Sequence, residues 1–382
     1  MKIAFFTDTY LPNTDGVVTC ILNTKRELEK RGHEVYIFSP GTKKQKDENK
    51  DPHIFYFTST SFKPYPDYRI AVFNFFSPIK LIKDLKIDVI HSHGVATTGL
   101  AAIQSSQKLG IAAIATFHTL LPEAIHYLTT QPNMKSALQG IAWKYLSWYY
   151  SSFKKTLVPS DFAGKILEKH GVRNLMLQPG GVDMARFNTD ANGAAGRKKL
   201  GLSKKEPIIM HVGRVAMEKN IEQIIEAAPS VINLLPEAKF VIVGKGPAEN
   251  HFKELVKRKG LEKNFIFTGY VEDGILPNLY ACADAIAFPS NFDTQGLVVL
   301  EAMACGTPVV VRKGSAASEF VKDRKNGQVF SDHFDFHEKI VAAVKNRKEL
   351  GKEAAETAKQ FEIGKITERL IEIYESLQKA PR

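Results

Sequence analysis

One order of structural signals occurs twice in this chain, at the start of each half. Residues 3–6 form a short apolar run, and residues 17–30 then carry apolar side chains at helical spacing. Residues 207–212 and 220–234 repeat this order, and a further apolar run closes each unit. Such βαβ units predict an α/β fold with doubly wound parallel sheets in both halves. Further strands are expected at 88–90, 112–116, 156–158, 265–267, 285–288 and 308–311.

The chain is longer than a single hydrophobic core usually supports, because it has 382 residues, of which 44% are apolar. We therefore expect two domains, each with its own core. Residues 188–206 lack a sustained apolar pattern and are the expected linker. Ligands of such sheets bind beyond the carboxyl ends of the strands, so the expected site is a crevice between two facing domains.

Composition and short motifs argue against several classes of protein. The N-terminus reaches Asp8 without a secretory signal, and Cys20, Cys282 and Cys305 have neither disulfide-framework nor zinc spacing. These features fit a reducing cytoplasm. A G-x-G-x-x-G fingerprint fails at Glu249, and no Walker-type phosphate loop occurs, which argues against a dehydrogenase or an ATPase.

The charge is basic and unevenly distributed. The formal net charge is +11, and residues 1–190 hold 23 Lys and Arg against 16 Asp and Glu, or +7 of that total. A basic surface attracts nucleic acid, anionic lipid or a phosphorylated substrate without choosing among them. Residues 141–155 contain both tryptophans and three tyrosines with interleaved lysines. This stretch predicts either a core helix or a segment that lies against an anionic membrane.

Two carboxylates eight positions apart are candidates for binding hydroxyl groups. Asp293 lies in a glycine-bearing loop, and Glu301 lies two turns into the helix that follows. An ionised carboxylate only accepts hydrogen bonds, and vicinal sugar hydroxyls donate them in pairs. The amides expected at the helix start, at Gln295, Gly296 and Leu297, have no acceptor inside the helix and suit a diphosphate or a sugar oxygen. The alternative is an exposed Glu301 and a helix-capping Asp293.

A basic pair follows the first strand of the second half. Gly213 and Arg214 end this strand, and Lys219 stands at the start of the next helix. Guanidinium and ammonium groups could neutralise a leaving diphosphate without a metal ion. The alternative is a solvated surface pair of Lys219 with Glu218.

Candidate residues in the first half follow two strands and precede one helix. His118 ends the strand predicted at 112–116, from which its imidazole could reach a sugar hydroxyl or a carbonyl. His91 and His93 follow the preceding strand, where simple packing is at least as good an interpretation. Gly16 precedes the first long helix and would let a ligand approach backbone amides, unless it is only a turn glycine.

Together these stretches resemble the family-4 retaining glycosyltransferases of the GT-B type, nearly from end to end. The likeness rests on motifs that occur in the family's order: the early glycine loop, Thr116-Phe-His118, Pro179-Gly-Gly-Val-Asp183, Val212-Gly-Arg214, Glu218-Lys-Asn220, and Gln295 through Gly306. The resemblance implies two Rossmann-like domains facing across a crevice. These would comprise residues 1–188, to which a C-terminal helix at about 362–382 crosses back, and residues 189–361, which bind the donor.

The resemblance also implies roles for single residues. Arg214 and Lys219 would bind the donor diphosphate, Glu301 the nucleotide ribose and Asp293 the hydroxyls of the transferred sugar. The remaining expected contacts are His118 near the reacting carbon, Gly16 and Gly213 near the phosphates, Val271 near the base, and Gln295, Gly296 and Leu297 at the helix start. The family usually has Glu where this chain has Asp293, so the sugar preference stays open. No permanently bound cofactor and no metal are expected.

The acceptor is indicated by a finer likeness. Residues 116–123, residues 126–128 and the Asp-Thr-Gln-Gly loop are similar to those of diacylglycerol glucosyltransferases and, less closely, phosphatidylinositol mannosyltransferases. We expect transfer of a hexose, from UDP-glucose or else GDP-mannose, to a lipid such as diacylglycerol or a phospholipid headgroup. The enzyme would lie on the inner face of the cell membrane and bind no nucleic acid. A soluble glycan or sugar phosphate as acceptor, an epimerase and a non-catalytic binder remain alternatives.

Overall fold

The chain forms two compact units, Met1–Gly181 with Ile363–Arg382, and Val182–Glu362. The computed structural model describes residues 1–13, 15–62, 65–72, 76–127 and 131–379. Position 128 of the expected acceptor stretch and positions 380–382 of the expected last helix lie outside these residues. The expected boundary at residue 188 falls inside the second unit. The Val182 amide there donates to the Phe361 carbonyl at 2.8 Å, and Phe187 packs in that unit's core.

An eight-stranded sheet forms the centre of the first unit. Its strands are β1 (Lys2–Phe6), β2 (Glu34–Gly41), β3 (Ile54–Phe62), β4 (Tyr65–Ala71), β5 (Val89–Ser92), β6 (Ala113–Thr116), β7 (Lys155–Val158) and β8 (Leu175–Leu177). They lie in the order β4-β3-β2-β1-β5-β6-β7-β8. All pairs are parallel except β3 with β4, which is antiparallel. A single antiparallel edge strand is a common addition to such a sheet.

The second unit contains a six-stranded parallel sheet. Its strands are β9 (Ile208–Val212), β10 (Lys239–Val243), β11 (Phe265–Gly269), β12 (Ala285–Phe288), β13 (Val309–Arg312) and β14 (Gln328–Phe330). The order is β11-β10-β9-β12-β13-β14. Both faces of this sheet are covered, since Ile208 and Met210 pack in one apolar cluster and Ile209 packs in another. The expected fold class, an α/β protein with doubly wound parallel sheets, is confirmed.

Helices connect the strands in both units. They are α1 (Gly16–Lys30), α2 (Lys43–Glu48), α3 (Phe76–Leu85), α4 (Thr97–Leu109), α5 (Pro132–Ser151), α6 (Asp161–Lys169), α7 (Gly193–Leu200), α8 (Ile221–Leu234), α9 (Glu249–Arg258), α10 (Leu276–Cys282), α11 (Leu297–Ala304), α12 (His333–Lys345), α13 (Arg347–Ala358) and α14 (Ile363–Lys379). Short 3-10 segments lie at Leu121–Tyr127, Met217–Lys219, Asp273–Ile275, Ala316–Phe320 and Lys359–Phe361. Helix α14 belongs to the first unit, where Tyr374 is fully buried beside Phe5.

The expected linker at 188–206 is a packed part of the second unit. Helix α7 lies within it and contacts α10. A Cβ atom at Gly196 would lie 2.2 Å from the Asn278 carbonyl oxygen, so the two helices approach more closely than any side chain at this position would allow. Small residues therefore make the contact. An apolar pattern could not reveal it, because the packing depends on the absence of side chains.

Candidate functional site

Two neighbouring strands of the second unit bring the predicted donor residues together. β9 and β12 are adjacent and parallel, so the loops after them leave the same edge of the sheet. Lys219, from the loop after β9, places its Nζ 2.6 Å from Oδ1 of Asp293, from the loop after β12. Asn220 joins the same two loops, because its side-chain amide donates to the Asn291 side chain at 3.1 Å. The two predicted residues Lys219 and Asp293 therefore form one ion pair.

Asp293 is held as a carboxylate. Burial raises the pKa of its carboxyl group, but the Lys219 ammonium and the Ser290 hydroxyl lower it more, so the net pKa lies below the usual value. Helix α11 is capped by Gly296 without a side-chain hydrogen bond, so the capping interpretation of Asp293 is wrong. Its Oδ1 accepts from Lys219, whereas its buried Oδ2 has no hydrogen-bond partner among the residues that the structure describes.

Glu301 lies inside helix α11 and is buried, with 9% of its surface exposed, so the exposed-residue interpretation is wrong. The Tyr280 hydroxyl donates to Glu301 Oε2 at 2.7 Å. Burial raises the pKa of Glu301, and the Tyr280 hydrogen bond and the positive charge of Arg186 offset part of this rise. The two predicted carboxylates therefore have separate partners, one an ammonium and one a phenol.

The helix that carries Glu301 begins at the predicted amides. Leu297 is its first residue, and Gly296 caps it in the left-handed region, with φ at 87°. A Cβ atom on Gly296 would lie 3.3 Å from the Phe288 ring, so this turn requires glycine. Gln295 is buried beside it. A helix start of this kind can receive an anion or a sugar oxygen at its backbone amides.

Close contacts between backbones place the other donor-side residues. A Cβ atom on Gly244 would lie 2.0 Å from the Gly213 carbonyl oxygen, and the Gly244 amide donates to the Gly269 carbonyl at 3.0 Å. The loops after β9, β10 and β11 are thereby held against one another. Val271, two residues beyond Gly269, packs against the apolar core of this unit. Arg214 lies 3.6 Å from the Glu218 carboxylate.

His211, which no motif in the sequence indicates, lies on β9 and is 1% exposed. Its Nδ1 lies 3.1 Å from the Ala287 carbonyl oxygen, and its ring stacks on Phe288. Burial and, less strongly, the charge of Lys219 lower the pKa of His211 to about 4, although the Ala287 bond and Asp293 act in the opposite direction. The imidazole is therefore neutral at neutral pH. A single polar residue in an otherwise apolar strand was the signal available in the sequence.

The first unit brings its three candidate histidines together. His93 Nδ1 lies 2.9 Å from His118 Nε2, with the two rings nearly parallel. Burial lowers the pKa of His118 to about 4, so both rings are neutral and one nitrogen donates to the other. His91 bonds Tyr374 and Thr116, each at 2.7 Å, which fits the packing interpretation for His91.

Two acidic residues organise helix starts in the first unit. Asp15 caps α1 by accepting from the Val17 and Val18 amides, each at 2.9 Å, and Gly16 has no atom within 4 Å of a built Cβ. Asp8, which no motif in the sequence indicates, is buried after β1 and accepts from the Val95 and Ala96 amides at the start of α4. Burial raises its pKa. Asp8 therefore joins β1 to α4.

Two features are absent from the residues that the structure describes. Among these residues, no group of three or more His, Cys, Asp or Glu side chains is arranged to hold a metal ion. Within the same residues, no helix has both the length and the apolar character needed to cross a membrane.

Comparisons with known proteins agree with this architecture. The family model "Glycosyltransferase Family 4" matches residues 14–186, and the model "Glycosyl transferases group 1" matches residues 194–361. Two relatives are alpha-monoglucosyldiacylglycerol synthases, each 29% identical to the chain. The one from Streptococcus pneumoniae aligns over 90% of this chain and 78% of its own length, and the one from Acholeplasma laidlawii over 92% and 90%.

Among solved structures, HepE of Anabaena in complex with UDP superimposes with a TM-score of 0.78 at 19% identity, covering 98% of this chain and 100% of its own. At this identity the likeness concerns the fold. The two family models together match both units, and the resemblance seen in the sequence motifs is confirmed. The chain therefore belongs to glycosyltransferase family 4 and is a retaining, nucleotide-sugar-dependent glycosyltransferase with the GT-B fold.

Proposed function

We propose that this enzyme transfers glucose from UDP-glucose to a membrane lipid, with diacylglycerol as the first acceptor to test. The observation that carries the proposal is the 29% identity, over nine tenths of the chain, to two alpha-monoglucosyldiacylglycerol synthases. HepE, which shares the fold, is seen in complex with UDP, so uridine is the first base to test against guanosine. Transfer to a soluble acceptor has no comparable support.

The donor site follows from the ion pair and the helix start in the second unit. Arg214 and Lys219 neutralise the diphosphate as it leaves, which is the main way such a site lowers the reaction barrier. Asp293 accepts hydrogen bonds from the sugar, and Glu301 accepts them from the ribose hydroxyls. The amides near Gly296 support the anion. Gly213 lets the diphosphate approach the backbone, and Val271 contacts the base.

In the first unit, His118 acts as a neutral group. Its pKa of about 4, lowered by burial, makes the imidazole a hydrogen-bonding partner for a substrate hydroxyl and not a source of charge. Gly16, whose Cβ position is open, leaves room beside the start of α1 for a substrate group.

A row of exposed apolar residues on α5 supports a membrane as the place where the acceptor is met. Met134, Ile141 and Trp148 are spaced by seven residues, so they lie along one face of the helix, and they are 50%, 64% and 54% exposed. We call these three residues the α5 row. Lys135 and Lys144 stand on the same helix. Apolar side chains with nearby lysines suit the headgroup layer of an anionic bilayer.

The opposite face of α5 contributes to the core. Leu146, Tyr149 and Tyr150 are buried there. The core interpretation of this aromatic stretch holds for the buried face, and we propose the membrane interpretation for the α5 row. The α5 row has the arrangement expected of a peripheral contact, which would place the enzyme at the membrane surface, and we propose the inner face of the cell membrane.

The donor assignment is tested by thermal unfolding with UDP-glucose and GDP-mannose. UDP-glucose at 100 times its dissociation constant should stabilise the wild type by about 2.7 kcal/mol. Arg214→Ala should lose this stabilisation while its melting temperature without ligand stays close to that of the wild type. Stabilisation by GDP-mannose alone would contradict the proposed donor.

The acceptor assignment is tested with vesicles of anionic phospholipid, with and without diacylglycerol. Glucosyl transfer from UDP-glucose should depend on diacylglycerol and exceed transfer to any soluble sugar. Ile141→Ser with Trp148→Ser should reduce sedimentation with the vesicles, because two exposed apolar side chains are removed. The matched control is Phe334→Ser in the second unit, where Phe334 is 72% exposed, and it should bind vesicles like the wild type. Equal losses in both variants would contradict a specific role of the α5 row.

A further inference from the structure

The protonation of His211 follows from its single hydrogen bond. A carbonyl oxygen only accepts, so the contact of 3.1 Å with Ala287 requires the proton on Nδ1. The ring is neutral, since burial and Lys219 lower its pKa to about 4. Nε2 therefore carries a lone pair and acts as an acceptor. No partner occupies it among the residues that the structure describes, although the atom is buried.

The position of Nε2 connects it with the donor site. A Cβ atom built on Gly213 would lie 3.7 Å from Nε2, so the nitrogen faces the turn between β9 and Arg214. His211 also interacts electrostatically with both Lys219 and Asp293. The imidazole thus belongs to the same group of side chains as the ion pair, although it forms no hydrogen bond with either residue.

Two buried acceptors in one site select the chemistry of their ligand. Asp293 Oδ2 lacks a donor, as His211 Nε2 does. A buried acceptor without a donor is unfavourable, so a ligand that fits here supplies hydrogen-bond donors. The oxygens of an ionised diphosphate only accept, and they would oppose both atoms. Neighbouring sugar hydroxyls supply donors, and each hydroxyl can still accept from Lys219.

We propose that His211 is a specificity-determining residue that accepts a hydrogen bond, through Nε2, from a hydroxyl of the transferred hexose. The proposal rests on the proposed function, because it takes a hexose nucleotide as the donor. It separates two parts of the donor site. Arg214 and Lys219 bind the diphosphate, and His211 together with Asp293 binds the sugar.

The test compares dissociation constants for UDP-glucose and for UDP, measured by titration calorimetry on the full chain. His211→Phe keeps an aromatic ring beside Phe288 but removes the acceptor. It should weaken UDP-glucose binding by about tenfold and leave UDP binding within about twofold, since only the sugar loses a partner. His211→Asn retains an amide donor and an oxygen acceptor, and it should bind UDP-glucose more tightly than His211→Phe. A general loss of structure would weaken both ligands equally and would overturn the proposal.

A measurement on the wild type does not depend on how the variants fold. The ¹⁵N resonance of His211 Nε2 should move towards that of a hydrogen-bonded nitrogen when UDP-glucose is added, and UDP alone should not move it. If UDP-glucose binds but neither this resonance nor the affinity of His211→Phe responds, the inference about His211 is overturned while the donor assignment stands. If UDP-glucose does not bind the wild type at all, both fail.

Discussion

Replacing Lys219 by Met leaves the Asp293 carboxylate without its ammonium partner. The side chains of this pair are 16% and 23% exposed, so neither is fully solvated and neither is in a dry interior. Hydrogen bonds to charged groups contribute about 1.5–3 kcal/mol, and breaking a fully buried pair costs about 3–5 kcal/mol. Partial exposure places this pair near the lower figure. We expect Lys219→Met to lower the free energy of unfolding by about 2 kcal/mol.

A double-mutant cycle isolates the pair from other effects of the substitution. Asp293→Asn and the double variant complete the cycle, and urea unfolding followed by far-UV circular dichroism should give a coupling energy of about 1–2 kcal/mol. Because the folded pKa of Asp293 is lowered, this contribution is complete above the unfolded pKa of about 3.9 and is lost as the pH falls through the folded value. The coupling should therefore be equal at about pH 7 and about pH 5. A coupling energy near zero, or one that falls between these two pH values, would refute the reasoning.

Three further substitutions give expected outcomes of different kinds. Tyr280→Phe removes the hydrogen-bond donor to Glu301 and so raises the pKa of Glu301 further. As the pH falls, UDP-glucose binding should therefore weaken at a higher pH than in the wild type. A binding curve against pH whose acidic side does not move contradicts this. Gly196→Ala should lower the free energy of unfolding by about 1–3 kcal/mol, because its Cβ would collide with the Asn278 carbonyl. Gly140 lies on an exposed part of α5 with open space around its Cβ, so Gly140→Ala should raise the free energy of unfolding by about 0.5–1 kcal/mol in the same urea assay. His118 is neutral in the folded state but titrates near pH 6.5 in the unfolded state, so the free energy of unfolding should fall as the pH decreases from about 6.5 to about 4. His118→Phe should reduce the slope of this free energy against pH by at most about 1.4 kcal/mol per pH unit. Equal slopes in the wild type and the variant would count against a depressed pKa of His118.

The central strands of both sheets could be predicted from the sequence because they are buried on both faces. Ala113–Thr116 in the first sheet and Ala285–Phe288 in the second fall on the runs predicted at 112–116 and 285–288, and each strand lies inside its sheet. The strands that were missed are β3, β4, β8 and β14, and three of these are edge strands. Leu175–Leu177 and Gln328–Phe330 have three residues each. A strand this short, paired on one side, leaves no periodic signal.

The pairing of Lys219 with Asp293 could be predicted only in part. Each residue follows a strand end, which indicates a common edge, but adjacency of β9 and β12 depends on the strand order of the whole sheet. Sequence spacing says nothing about that order. The same holds for Tyr280 and Glu301, which meet because α10 and α11 pack together. Motifs therefore indicate which residues serve a site, while the strand order and the helix packing decide which of them pair.

His211 shows why an apolar pattern conceals a residue that binds ligand. All five residues of Ile208–Val212 are buried, and His211 is as buried as its apolar neighbours. Its position therefore resembles that of a packed core residue. His211 differs from a packed core residue because its Nε2 carries no proton. This follows because Nδ1 donates to the Ala287 carbonyl on β12. That carbonyl belongs to a residue 76 positions away, so the tautomer is a property of the sheet and not of the motif. A core histidine with both nitrogens satisfied would only stabilise the strand, whereas one whose remaining acceptor faces the glycine turn beside a carboxylate can distinguish a sugar hydroxyl from a phosphate oxygen.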